Sequence, residues 1–214
     1  MPIVSTQQWG SLEERSATAF LIAAAMFLVD AALVGGVIVA AGDRLMLLGQ
    51  AFVAAGWVAG FVGLLGLYPE LADRSRRLAR TGLVFVAVGL VVFVVMGVAS
   101  LVYFTGILSG DLSALVPVLL PGVVIGSVLG FLTFGAASLR SGAHSRGVGV
   151  LLVVLGLFPV VNILTGAAGV QSMVATLVIV LGLSLVNAAV GYRLRSERDS
   201  TERVEAGRPG EPAA

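Results

Sequence analysis

Cysteine and lysine are both missing from the 214 residues, and histidine occurs once, at position 144. Without cysteine there is no disulfide, no thiol nucleophile and no thiolate metal site. Without lysine no Schiff base can form, which excludes a covalently held retinal. A lone histidine in a polar segment supplies neither paired haem ligands nor a histidine-based zinc site, and it cannot activate an intramembrane serine. There is no GxxxxGK[ST] phosphate loop. Asp43, Asp73 and Asp111 stand too far apart for a metal–pyrophosphate cluster. An enzyme is therefore not expected, and no catalytic residue, metal or cofactor is assigned.

Charge is also scarce. Charged residues make up 12% of the chain, about half the share in an ordinary soluble domain. Hydrophobic residues make up 58%, more than one soluble core of this size can hide. They fall into six apolar runs, at 18–41, 45–68, 81–104, 112–137, 148–168 and 172–192. Each run is long enough to cross a hydrocarbon core of about 30 Å at 1.5 Å per residue.

All thirteen basic residues are arginine, a usage that fits codon bias in a GC-rich prokaryote. Twelve of them fall before the first run, in every second gap, or after the last run: Arg15, then Arg74, Arg76, Arg77 and Arg80, then Arg140 and Arg146, then Arg193, Arg195, Arg198, Arg203 and Arg208. Only Arg44 falls on the other side. Arginine excess in short loops marks the cytoplasmic face. The expectation is thus an all-α integral membrane protein, a six-transmembrane-helix bundle with both termini cytoplasmic, multi-pass in the cell membrane. Residues 1–195 form its membrane domain. Residues 196–214, charged and nearly devoid of apolar side chains, form a mobile cytoplasmic tail or at most a frayed extension of the last helix. The acidic Glu13 and Glu14 argue against a cleaved leader. Ser11 and Glu14 fit a capping box that starts the first helix near Leu12.

Glycine is plentiful, at 28 residues. Gly122, Gly126 and Gly130 recur every fourth position, and Gly49, Gly56, Gly60 and Gly63 share one face of the second run. In lipid, helices associate by close packing, so these ridges predict helix contacts. Pro117 and Pro121 predict a late start or a kink in span four, and Pro159 a kink in span five. An offset of 67 residues superposes Gly63 on Gly130, Gly82 on Gly149 and Gly89 on Gly156, a faint repeat.

The sequence from Leu65 to Gly82, LGLYPELADRSRRLARTG, resembles the second-loop region of small, uncharacterised multi-span membrane proteins of haloarchaeal type. That resemblance covers about eighteen residues and implies location only. Read from the residues, Tyr68 anchors at the interface, Pro69 ends the helix, and Arg74, Arg76, Arg77 and Arg80 meet anionic lipid head groups or an acidic partner.

Asp30 is the one ionisable residue well inside a run, at its midpoint. A carboxylate there costs about 2.5–3.5 kcal/mol on insertion scales and must pair or stay neutral. Trp57, Ser127 and Ser184 lie near mid-membrane, and the Trp57 indole N–H is a candidate donor to Asp30. Asn162 and Asn187 read as interhelical glue. The leading functional expectation is a non-catalytic accessory or membrane-organising bundle. Its partners are membrane lipids, with a further protein or a second copy meeting it through the glycine ridges, and no nucleic acid. The alternative is a small carrier or proton-coupled channel using Asp30. A polar cavity reaching Asp30 favours the carrier, whereas a dry, close-packed Asp30 favours the bundle.

Overall fold

The computed structural model describes residues 6–40, 43–107, 116–170 and 172–206. Residues 112–115 of the expected fourth span, Asp111, the tail beyond 206, and the side chains of Ser11, Glu14, Asp43 and Arg44 lie outside the described set. Helix α1 is Thr6–Ala40, α2 Asp43–Arg74 and α3 Arg76–Phe104. The fourth span is built from α4 (Val116–Val123), a π-helical stretch (Val124–Gly130) and α5 (Phe131–Ser141). Helices α6 (Arg146–Ala167) and α7 (Met173–Ala206) complete the chain. Six of these stretches are long and apolar enough to cross a membrane, and helix is the form in which a lipid-embedded backbone satisfies its own hydrogen bonds.

Several boundaries differ from expectation, mostly because helices run on past the apolar runs. Helix α1 begins at Thr6, ahead of the expected cap, since no residue after position 6 forces a break. Pro69 does not end α2, which continues to Arg74. Proline removes one N–H and strains one turn, a cost that packing neighbours offset. The four-arginine segment is consequently no loop. Ser75 alone separates α2 from α3, and the arginines decorate two helix ends. Likewise α7 continues as one helix to Ala206.

Turn chemistry sets the breaks that remain. Gly142 ends the fourth span in the left-handed conformation at φ 61°, its N–H donating to the Ser138 carbonyl at 3.1 Å. The Ser145 hydroxyl then accepts from the Val148 N–H at 3.5 Å and caps α6.

Each span packs antiparallel against its chain neighbours, and α7 returns to α1, so the six spans form a closed circle. The glycines fix the register. A methyl group placed on Gly49, Gly56 or Gly63 of α2 would meet Asp30, Phe27 or Phe20 of α1 in turn. The ridge of span four lies against α3: Gly122 faces Val92, Gly126 faces Gly89, and Gly130 faces Val86. At Gly126 and Gly89 backbone touches backbone, and a Cβ on Gly126 would fall on the Gly89 Cα. Both ridges are thus spent on contacts within the chain. The repeat does not extend to these roles, because Gly82 faces the following span while Gly149 faces the preceding one.

An even number of spans places the start of α1, the end of α7 and the arginine-rich junctions at one end, the arginine end; the opposite end is the far end. The two halves pack differently. Toward the arginine end Phe20, Leu64, Leu71, Phe134, Leu152 and Val190 are fully buried and close the middle. Toward the far end the middle is hollow.

Candidate functional site

The hollow is a cavity of about 410 Å³, walled by all six spans. Asp30 and Val34 of α1, Met46, Gln50, Val53 and Trp57 of α2, and Phe93 and Met96 of α3 form one side. Leu120, Val123 and Ser127 of span four, Phe158, Pro159 and Asn162 of α6, and Thr176, Val180 and Leu183 of α7 form the other. Met46, Gln50, Leu120 and Asn162 are exposed and make a rim, whereas Asp30, Trp57, Ser127 and Leu183 are buried and make the walls and floor.

Packing explains why this half is open. Helix α1 presents Phe20 and Phe27 to the glycine face of α2, and the carboxyl of Asp30 continues the same stripe. Gly49 lets the α2 backbone pass so close that a methyl group there would lie 2.5 Å from Asp30 Oδ1. Opposite, Pro121 lies within α4 and Pro159, on the cavity wall, within α6, and neither ends its helix. Residues 124–130 of span four adopt the wider π turn, a form that appears mostly as short insertions at functional sites. Ser127 lies in that stretch, donating its hydroxyl to the Val123 carbonyl at 2.6 Å.

Asp30 is 3% exposed, and no hydrogen bond or ion pair reaches it among the described residues. Among the described residues it is the only charged side chain on the cavity wall. Trp57, at 6% exposure, stands at the centre of an aromatic group. Its ring centroid is 5.5 Å from Phe93, 5.6 Å from Phe131, 5.7 Å from Phe27 and 6.2 Å from Phe61. The site thus combines one buried, partnerless carboxyl group with a wall of rings and a few neutral amides and hydroxyls.

Asp30, Trp57 and Ser127 share the cavity, as the matching of depths suggests, but the details differ. Asp30 faces Gly49, about 9 Å along α2 from its start at Asp43 at 1.5 Å per residue, so it lies nearer the far end than the middle. Trp57 packs instead on Phe27, two turns deeper along α2, and no hydrogen bond joins its indole to Asp30. Ser184 is not on the cavity wall. Its hydroxyl donates to the Ala24 carbonyl at 2.8 Å and ties α7 to α1. Neither asparagine bridges helices. Asn162 is exposed at the rim, and Asn187 donates to Leu183 of its own helix at 2.8 Å, its buried Oδ1 having no partner.

Sequence reasoning missed Gln50, Phe93, Phe158 and Thr176. Gln50 carried a usable signal, because a short connection between α1 and α2 pairs residues near 30 with residues near 50. The others have none, being ordinary residues placed by helix rotation.

The arginine end carries the polar ties. His144 Nδ1 lies 3.3 Å from Glu70 Oε2, Arg74 donates to the Gly142 carbonyl at 3.1 Å, and the Ser145 N–H donates to Glu197 Oε2 at 3.5 Å. Arg76, Arg77 and Arg80 are exposed on the first turns of α3. No three metal-ligating side chains gather among the described residues. No family model matches the chain, and no match was found among curated proteins or solved structures.

Proposed function

We propose that this polytopic membrane protein is a small carrier of the cell membrane, with the far-end cavity as its loading site and Asp30 as the group that holds a proton or ligand. One observation carries the reading: a cavity with an exposed rim at one end reaches a buried carboxyl group that has no partner among the described residues, while large side chains are fully buried in the middle of the other half. A carboxyl kept for structure would be expected to hold a fixed hydrogen bond, because an unpaired buried polar group costs free energy.

The arginine distribution sets the far end outside, so this conformation faces outward. Alternating access then requires the arginine end to part. The ties described there are partly solvated, and contacts of that kind contribute roughly 0–1 kcal/mol each. The π turns beside Ser127 offer a place for span four to flex. Arg76, Arg77 and Arg80 meet anionic head groups of the inner leaflet in this orientation.

Reconstituted vesicles with a trapped pH dye and an imposed membrane potential test the reading. The parent protein is expected to carry proton-linked flux, and Asp30→Asn to abolish its pH dependence with the fold intact. Flux unaltered in Asp30→Asn removes Asp30 from the loading site. No flux in the parent returns the chain to a non-catalytic accessory bundle.

A further inference from the structure

The cavity wall restricts what it can hold. Among the described residues its single charge is negative, so a phosphate- or carboxylate-bearing ligand would face repulsion with no described cation to offset it. A small inorganic cation is also poorly served. Hard cations take several oxygen ligands at once, whereas here one carboxyl group stands among apolar side chains and no cluster of acidic or histidine residues exists among the described residues. What remains complementary is one positive charge on a large apolar body. Trp57, Phe93 and Phe158 present aromatic rings to the cavity, and aromatic faces attract cations, most strongly where water is excluded. Val53, Met96, Ile179 and Leu183 add apolar wall. A volume of about 410 Å³ lies within the range of sites for drug-sized molecules.

We propose that the far-end cavity binds lipophilic organic monocations, with the cationic centre at the Asp30 carboxylate and the apolar body against Trp57, Phe93 and Phe158. The inference rests on the reading of the cavity as a loading site and adds its substrate class. Asp30 supplies the only full charge among the described lining residues, and the rings supply size and shape selection. Neutral Gln50, Asn162 and Thr176 at the rim leave the approach uncharged among the described side chains.

The test uses the full-length protein in mild detergent and two isosteric probes, tetraphenylphosphonium and tetraphenylborate, in equilibrium dialysis against protein-free micelles. The phosphonium is expected to bind saturably at one site and at least tenfold more tightly than the borate. Asp30→Asn should lower phosphonium affinity at least tenfold, and Asp30→Glu should restore part of it. Thr176→Trp, which fills the cavity without touching the charge, should remove binding of both probes. Equal binding of the two ions, both lost in Thr176→Trp, overturns the cation class while leaving a ligand-binding cavity. Phosphonium binding unchanged in both Asp30→Asn and Thr176→Trp overturns the site itself. If Asp30→Asn does not fold, the isostere ratio and Thr176→Trp decide the question alone.

Discussion

Replacing Gly126 with alanine puts a methyl group where the Gly89 backbone already lies. A clash with a side-chain tip can be relieved by rotation, but the nearest atoms here are the Cα and N of Gly89, with Phe61 behind them. Span four and α3 must therefore separate. Even a radial gap of 0.5–1 Å forfeits about a quarter to a half of the dispersion energy of each contact it opens, and this crossing also holds Gly122 on Val92 and Gly130 on Val86. Overpacking of this kind costs about 1–3 kcal/mol and occasionally more, and a backbone-on-backbone contact belongs at the top of that range. On the soluble-protein scale of roughly 2–4 °C per kcal/mol at this chain length, the midpoint falls by about 6–12 °C. The ridge provides its own controls. A methyl group on Gly122 would lie 2.5 Å from Val92 Cγ2, a β-branched side chain with little freedom, so Gly122→Ala should cost less than Gly126→Ala but remain measurable. A methyl group on Gly130 finds Val86 Cγ2 at 3.4 Å, so Gly130→Ala should lie within about 0.5 kcal/mol of the parent. Leu185, 72% exposed, gives the lipid-facing reference, and Leu185→Ala should also be close to neutral. Thermal unfolding of the purified variants in one detergent reads the order. Equal midpoints for Gly126→Ala and Gly130→Ala would refute the crossing, as would a loss in Gly126→Leu no greater than in Leu185→Ala.

Asp30 has no partner to lose among the described residues, so Asp30→Asn should leave the unfolding midpoint unchanged or raised; a drop beyond that of Gly122→Ala would mark the carboxyl as a structural hydrogen-bonding group. Gly49→Ala places a methyl group 2.5 Å from Asp30 Oδ1 and must displace the carboxyl, so it should weaken phosphonium binding more than it lowers thermal stability; the reverse order would argue against a shaped site. Deleting residues 200–214 should leave insertion and midpoint unaltered, because few apolar side chains are lost, and a marked loss of folded protein would show the segment docking elsewhere. Reporter fusions at Asp111 and Val170 should read outside and those at Arg77, Ser141 and Arg208 inside; an exterior signal at Arg77 would invert the orientation.

The six spans were legible because hydrocarbon thickness imposes a length that any apolar run of about twenty residues displays. The glycine ridges were legible because spacing alone puts Gly122, Gly126 and Gly130 on one face. Helix ends were less so. Pro69 was read as a stop, yet the turn it weakens is supported by neighbouring spans, and sequence does not show that support. Asp30 was found as the lone acid in an apolar run, but the run's midpoint misplaced its depth. Run boundaries mark hydrophobicity, whereas depth is set by the pairing of Asp30 with Gly49 across the α1–α2 register. The cavity left no trace in the sequence. It arises where Phe158, Thr176, Gln50 and Phe93 rotate toward a common centre while the large side chains of the arginine half fill theirs, and that outcome depends on all six helices at once.

The proposed outward opening of the cavity to Asp30, above a packed inner half, is directly measurable because the sequence contains no cysteine. Single cysteines at Val180, on the cavity wall, and at Val190, fully buried three turns further along α7, should be exposed in intact cells to a membrane-impermeant cationic methanethiosulfonate. Rapid modification is expected at Val180→Cys, slowed by Asp30→Asn for the cationic reagent but not for a neutral one, and none at Val190→Cys. Protection of Val180→Cys, or equal modification at both positions, would contradict the outward opening.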